Sequence, residues 1–292
     1  MNSFTIKDLE NLSGIKAHTL RIWEQRYNFL RPSRTFTNIR YYSNEELKKI
    51  LNIALLNKYG YKISHIDKMA EDEIRTKILN LNQQEAQQER IVNDLVQYMV
   101  DLDIEAFENT LTEQIATKGI EKTITQVIFH YLEKIGILWM TNHINPAQEH
   151  LVTNIIRQKL IVGIDNISTP LKIKKTVLLF LPESEYHEMG LLFMFYLLKS
   201  RGVQVYYLGS NVPLSDVGYV AKLKKPDYLY SHITRPGLSF NFDKFLANLS
   251  KNMPEIPCII SGQLTQNYEK KLQPPVIFKK SYHEVMEFIA TL

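Results

Sequence analysis

Glu185-Tyr186-His187-Glu188-Met189-Gly190 stands where an apolar run, 176–181, gives way to an apolar helix expected to begin near His187. A strand that ends in such a segment before a helix places the imidazole at the carboxyl edge of a sheet. In an open α/β sheet that edge is where ligands bind. Glu185, two residues back on an extended segment, lies on the same side as His187. A carboxylate on one ring nitrogen orients the other for a metal.

Outward from this stretch, strands and helices alternate to the carboxyl terminus. Strands are expected at 177–181, 204–208, 228–232, 258–261 and 276–278, with helices to 201 and at 214–224, 243–250 and 282–291. Such alternation predicts a doubly wound parallel sheet, flavodoxin-like or Rossmann-like, over 171–292. No GxGxxG or P-loop glycine run occurs, so nicotinamide and nucleoside triphosphate readings lose their best support. Ser231 ends the third expected strand and Gly262 follows the fourth.

Upstream, amphipathic stretches at 90–100, 104–117, 120–141 and 146–164 predict a four-helix bundle over 90–170. Asp103, Gly119 and Asn145-Pro146 punctuate it. The glutamine-rich segment before it, 76–89, reads as a linker without a core of its own. Trp139 closes the third helix, and the pair Glu149-His150 follows ten residues later, in the fourth. By default these are packing and surface residues.

The amino-terminal part, 1–75, carries the basic excess: eleven lysines and arginines against five acidic residues over 1–62. A helix at 6–12 capped by Thr5, a break at Ser13-Gly14 and a helix at 17–26 make a helix-turn-helix, whose second helix enters a DNA major groove. With Leu20 and Trp23 inward, Lys16, His18, Thr19, Arg21 and Arg26 are left for bases and phosphates. The stretch 29–42 lacks helical periodicity and is expected as a β-hairpin wing, with Arg34, Arg40 and Tyr42 against the phosphate backbone. Ser43 and Glu46 form a capping box for a helix at 44–59.

Composition agrees with a soluble, multi-domain chain of mixed α and α/β class. Of 292 residues 45% are hydrophobic and 23% charged, with a formal net charge of +4. The single cysteine, Cys258, excludes a disulfide framework within the chain and suits a reducing cytoplasm. No signal peptide and no membrane span are expected.

Phe4-Thr5-Ile6, Ser13-Gly14-Ile15, Thr19-Leu20-Arg21 and Arg31-Pro32-x-Arg34 leading to Arg40-Tyr41-Tyr42 resemble the winged helix-turn-helix of the MerR family. Glu185-x-His187-x-x-Gly190 resembles the D-x-H-x-x-G signature of cobalamin-binding domains, with Glu at the first position. That resemblance implies His187 as the lower axial ligand of cobalt, Ser231 as the hydrogen-bond partner of the dimethylbenzimidazole tail, Gly262 as a residue that makes room for the tail, and Gly190 as a further cofactor-binding residue. Ile233 stands for the family's leucine and Ser261 for the first of its paired glycines.

Trp139-x9-Glu149-His150 resembles the helical cap of CarH/LitR-type repressors and methionine synthase, where these residues lie against the upper corrin face. Met140 stands where the light-responsive members have a histidine, with His143 one turn on. The resemblance implies a DNA-binding regulator, a repressor, that pairs with promoter DNA as a dimer or tetramer and senses adenosylcobalamin or methylcobalamin. Two other readings stay open: a cobalamin-independent regulator whose sensor domain only assembles or binds protein, and a corrinoid enzyme subunit.

Overall fold

The computed structural model describes residues 3–140 and 144–292, apart from the side chains of Ile137, Trp139 and Met140. The chain divides into two compact units, Met1–Ile156 and Arg157–Leu292.

In the first unit, α1 (Ile6–Ser13) starts at a capping box: the Asp8 carboxylate accepts the Thr5 N–H at 2.7 Å, and the Asp8 N–H donates to the Thr5 hydroxyl at 3.3 Å. Gly14, at φ 74°, ends the helix in the left-handed conformation that glycine adopts without strain. α2 (Ala17–Arg26) buries Leu20 and Trp23. β1 (Ser33–Arg34) and β2 (Arg40–Tyr41) pair antiparallel, and a bridge between Phe4 and Tyr42 fastens the wing to the start of α1. α3 (Asn44–Lys58), capped by Ser43 and Glu46 as expected, buries Leu47, Ile50, Leu51 and Ala54.

α4 (Ile63–Ile66) and α5 (Glu71–Leu79) follow. The expected linker is not a free connector: α5 ends within it, α6 (Gln84–Asp101) begins within it, and Ile78, Leu81 and Ala86 are buried. A few apolar residues among the glutamines suffice to give this polar stretch a buried stripe. α7 (Ile104–Lys118), α8 (Ile120–Thr123), a π-helical turn at Ile124–Ile128, α9 (Phe129–Met140) and α10 (Pro146–Asp165) complete the helices. Their core includes Leu95, Met99, Phe107, Leu111, Tyr131, Leu138 and Val152.

The expected boundary at 170 falls earlier, because the carboxyl half of α10 is fastened to the second unit. Arg157 pairs with Glu188, and the Lys199 ammonium donates to the Ile164 carbonyl at 2.6 Å.

That unit alternates β3 (Ile173–Pro182), α11 (Met189–Ser200), β4 (Val203–Val212), α12 (Leu214–Lys224), β5 (Tyr228–His232), α13 (Phe242–Asn252), β6 (Cys258–Ser261), α14 (Gln263–Gln266), β7 (Val276–Lys279) and α15 (Tyr282–Ala290). All pairings are parallel, in the order β4-β3-β5-β6-β7. β3 is an interior strand, paired on both sides, and Val177 to Leu181 are fully buried, as a strand covered on both faces must be. The winding reverses between β3 and β5, so the loops that follow these two strands flank the switch-point crevice.

Candidate functional site

The loop after β3 is built to hold one histidine. Ser184 takes a left-handed turn at φ 67°, and its N–H donates to the Asn211 side-chain oxygen at 2.9 Å. The Asn211 N–H donates in turn to the Glu185 carbonyl at 3.1 Å. This turn drives the Glu185 side chain inward, where its exposure is 0%.

One oxygen of that carboxylate accepts the His187 N–H at 2.9 Å and the ring Nδ1 at 2.6 Å. The other accepts the N–H groups of Thr234 at 2.9 Å and Arg235 at 2.8 Å. Glu185 therefore ties together the two loops that flank the crevice. Burial pushes its carboxyl upward, but the His187 ring and the backbone donors outweigh burial and hold it below the ordinary carboxylate range. An ionised Glu185 only accepts, so the proton of a neutral His187 ring sits on Nδ1 and the lone pair on Nε2. The His187 side chain is 55% exposed.

Glu188 fastens the next turn. It accepts the Tyr207 hydroxyl at 2.7 Å and the Arg157 Nε at 3.0 Å, and burial together with this carboxylate pushes the Tyr207 phenol up. Residues that sequence reasoning did not select, Arg157 and Tyr207, thus anchor the segment that carries His187.

Gly190 lies in the first turn of α11, where a Cβ would meet the His232 ring at 2.2 Å. The room this glycine leaves is occupied by the chain's own imidazole. His232 Nδ1 is 2.8 Å from the Ser261 hydroxyl, which is 2.7 Å from the Tyr230 hydroxyl. Burial lowers the His232 ring to about 4, against the opposing influence of Glu185, and raises Tyr230 to about 12.

Strand alternation sends Ser231 to the face of Leu229, which belongs to one buried apolar cluster with Val217, Ala221 and Leu246, and away from the face that His232 shares with Gly190. Its hydroxyl is buried with no hydrogen-bond partner. Gly262, at φ 99°, has its own reason: a Cβ there would lie 2.4 Å from the Ile233 carbonyl oxygen.

Glu185 and His187 are thus brought together at the crevice, whereas Gly190 faces the His232 side of β5 and Ser231 the opposite side. The two-residue alternation of the strand separates them. Tyr228, Tyr230 and His232 alternating on one face was the signal in the sequence. Among the described residues no cluster of three or more His, Cys, Asp or Glu side chains gathers as a bare-metal site.

In the bundle, Glu149 stands in the first turn of α10 and His150 directly follows it, with Glu149 Oε2 3.4 Å from His150 Nδ1. Tyr131, fully buried, has a hydroxyl without a hydrogen-bond partner, and burial and the charge of Glu149 push it up. The Trp139 and Met140 side chains and His143 lie outside the described residues.

In the head, Lys16, His18, Arg21, Arg26 and Arg34 are exposed and Thr19 partly so. Two expected phosphate contacts are used internally. Tyr42 is 0% exposed, packed in the bridge to Phe4, with burial raising its phenol to about 12. It belongs to the core rather than to a DNA surface. Arg40 donates through Nε to both oxygens of Glu24 at 3.0 Å. Glu24, absent from the sequence reading of contacts, also lies 3.9 Å from Arg34 and 3.5 Å from the Tyr42 hydroxyl. It is the hub that holds the wing to α2.

A helix-turn-helix with a basic outer face, followed by helices and a switch-point histidine, defines a class that the family comparisons identify. A family model described as MerR HTH family regulatory protein matches residues 4–73, and one described as B12 binding domain matches residues 91–162. The chain thus joins a MerR HTH domain to a B12-binding domain. It is homologous to the HTH-type transcriptional repressor CarH of Myxococcus xanthus, 26% identical over 275 residues that cover 91% of each chain. The HTH-type transcriptional repressor CarA of the same organism is 26% identical over 259 residues, 88% of this chain and 85% of that one. The Methanosarcina barkeri monomethylamine corrinoid protein shares the fold, with a TM-score of 0.52 at 13% identity over 70% of this chain and 100% of that one.

Proposed function

We propose that this chain is a DNA-binding transcriptional regulator, a repressor, whose carboxyl-terminal region senses cobalamin. The observation that carries the reading is the Glu185–His187 pair at the switch-point crevice of a chain that begins with a MerR HTH domain. Lys16, His18, Thr19, Arg21, Arg26 and Arg34 meet promoter DNA, the side chains on α2 facing the groove and Arg34 the backbone. The protein works in the cytoplasm as a dimer or tetramer, because a helix-turn-helix reads two half-sites through a two-fold assembly.

His187 Nε2 is the nitrogen that would hold cobalt, with Glu185 fixing the tautomer and the ring plane. Cobalamin, as its adenosyl or methyl form, would supply a cobalt that accepts a neutral nitrogen donor, and His187 would provide it. Trp139, Glu149 and His150 are proposed as cobalamin contacts of the bundle, on the strength of the B12 binding domain match at 91–162.

The test is the full-length protein purified with cobalamin in the dark. A retained visible chromophore is expected, and 15N-histidine labelling should change the nitrogen hyperfine pattern of the reduced cobalt. His187→Ala should lose both. A colourless protein that retains no added cobalamin would leave a regulator whose second part only assembles.

A further inference from the structure

Resting on the cobalamin reading above, we propose that His232 is the specificity-determining residue of the ligand site: its imidazole plugs the room beneath α11, so the corrin ring is taken on His187 while the nucleotide tail stays outside the sheet. Complete and tail-less corrinoids are then bound alike.

Three observations converge on this. The ring lies so close to Gly190 that even a methyl group on that residue would overlap it, at 2.2 Å from Cδ2 and 2.6 Å from Nε2. The plug is latched, because Nδ1 shares the Ser261 hydroxyl with Tyr230 at 2.8 and 2.7 Å. A serine hydroxyl has one proton and two lone pairs, so it serves both partners at once. Finally, the candidate hydrogen-bond partner for a tail, the Ser231 hydroxyl, is buried on the face of Leu229 and not on that of His232.

A tail entering beside Gly190 must first expel the imidazole, which breaks a hydrogen bond inside the protein and leaves Ser261 and Tyr230 to find new partners. Glu185 and His187 are untouched by this conflict, since the carboxylate takes the Thr234 and Arg235 N–H groups from the loop beyond β5. Ring recognition and tail recognition are therefore separate in this sheet.

The experiment titrates the full-length protein with aquocobalamin and with diaquocobinamide, which has the corrin ring but no nucleotide tail, following the visible spectrum. The wild type should bind both within about threefold, and His232→Ala should tighten cobalamin about tenfold or more while leaving cobinamide unchanged, the scale of discrimination a side-chain-sized pocket supplies. If His232→Ala does not fold, His232→Asn keeps a polar partner for Ser261 in a smaller volume and carries the same comparison. A wild type that prefers cobalamin by a hundredfold, with a ratio indifferent to either variant, would overturn the plug while sustaining cobalamin sensing. Failure of either corrinoid to bind any of the proteins would overturn the sensor reading, and the plug with it.

Discussion

The DNA-binding head and the sheet edge each hang on one glutamate, and the two glutamates work in opposite ways. Glu24, with 14% of its side chain exposed, collects cations from the wing: Arg40 at 3.0 Å and Arg34 at 3.9 Å. Glu185, fully buried, collects two backbone N–H groups, a third from His187, and one imidazole. The first spends positive charge that would otherwise face phosphate, so the outer face of α2 carries most of the DNA contact. The second spends negative charge on fixing a tautomer, so the ligand nitrogen is defined before any ligand arrives. A surface reader is assembled from side chains left over, and a ligand site from side chains held in place.

The largest expected effect lies in the head. With several phosphate contacts per dimer, operator affinity should fall about a thousandfold between low and moderately high salt. A footprint titration at several salt concentrations measures it. A flat salt response would mean that Glu24 and its like have left too little free charge, and would break the contrast between the two regions.

Next comes the sheet. Glu185→Gln keeps the volume but puts an amide where one oxygen accepts from His187, so cobalamin affinity should fall about ten- to a hundredfold, the usual scale for the partner of a metal-ligating histidine. The same change should leave operator affinity of the cofactor-free protein unaltered. Loss of DNA binding in the apo variant would show that Glu185 serves the fold more than the site.

Arginines in the head separate by role. Arg21→Ala should lower DNA affinity with no change in urea unfolding, since that side chain is exposed. Arg40→Ala should lower stability by about 1 kcal/mol through the lost pair with Glu24, and DNA affinity along with it. Equal unfolding curves for the two variants would deny Glu24 its part as the hub of the wing.

What could be read from the sequence alone follows from the range of the interactions concerned. The cap at Thr5, the capping box at Ser43, the turn at Gly14 and the bounds of α12, β5 and β6 are local, and residue pattern places them. The Glu185–His187 contact is also local, two residues apart, and was legible for that reason. The pairing of Arg40 with Glu24 spans sixteen residues and brings a wing to a helix, which no pattern in either segment announces. Ser231 and His232 show the sharpest limit. Their strand was bounded correctly, yet the face each one takes depends on a single-residue register, and a slip of one exchanges core for ligand side.

The smallest effect concerns His232 and tests how far the charge of Glu185 reaches. Burial lowers the ring from 6.5 to about 4 in the folded protein, while Glu185 opposes that change. As the pH falls past 6.5 the unfolded chain takes up a proton at this position and the folded chain does not until near 4. The unfolded state then binds more protons, so stability is complete above about 6.5 and is lost as the pH falls through that window. By pH 5.5 the loss attributable to this ring should be about 1 kcal/mol. Urea unfolding at pH 7.5 and 5.5 measures it as the difference between wild type and His232→Asn, in which every other group titrates alike. In a Glu185→Gln background the opposing charge is gone, the ring is harder to protonate, and an NMR titration should place its midpoint lower still. A midpoint that does not move would mean that the carboxylate's charge is spent entirely on His187 and its backbone donors, and that the two histidines at this sheet edge are electrostatically independent.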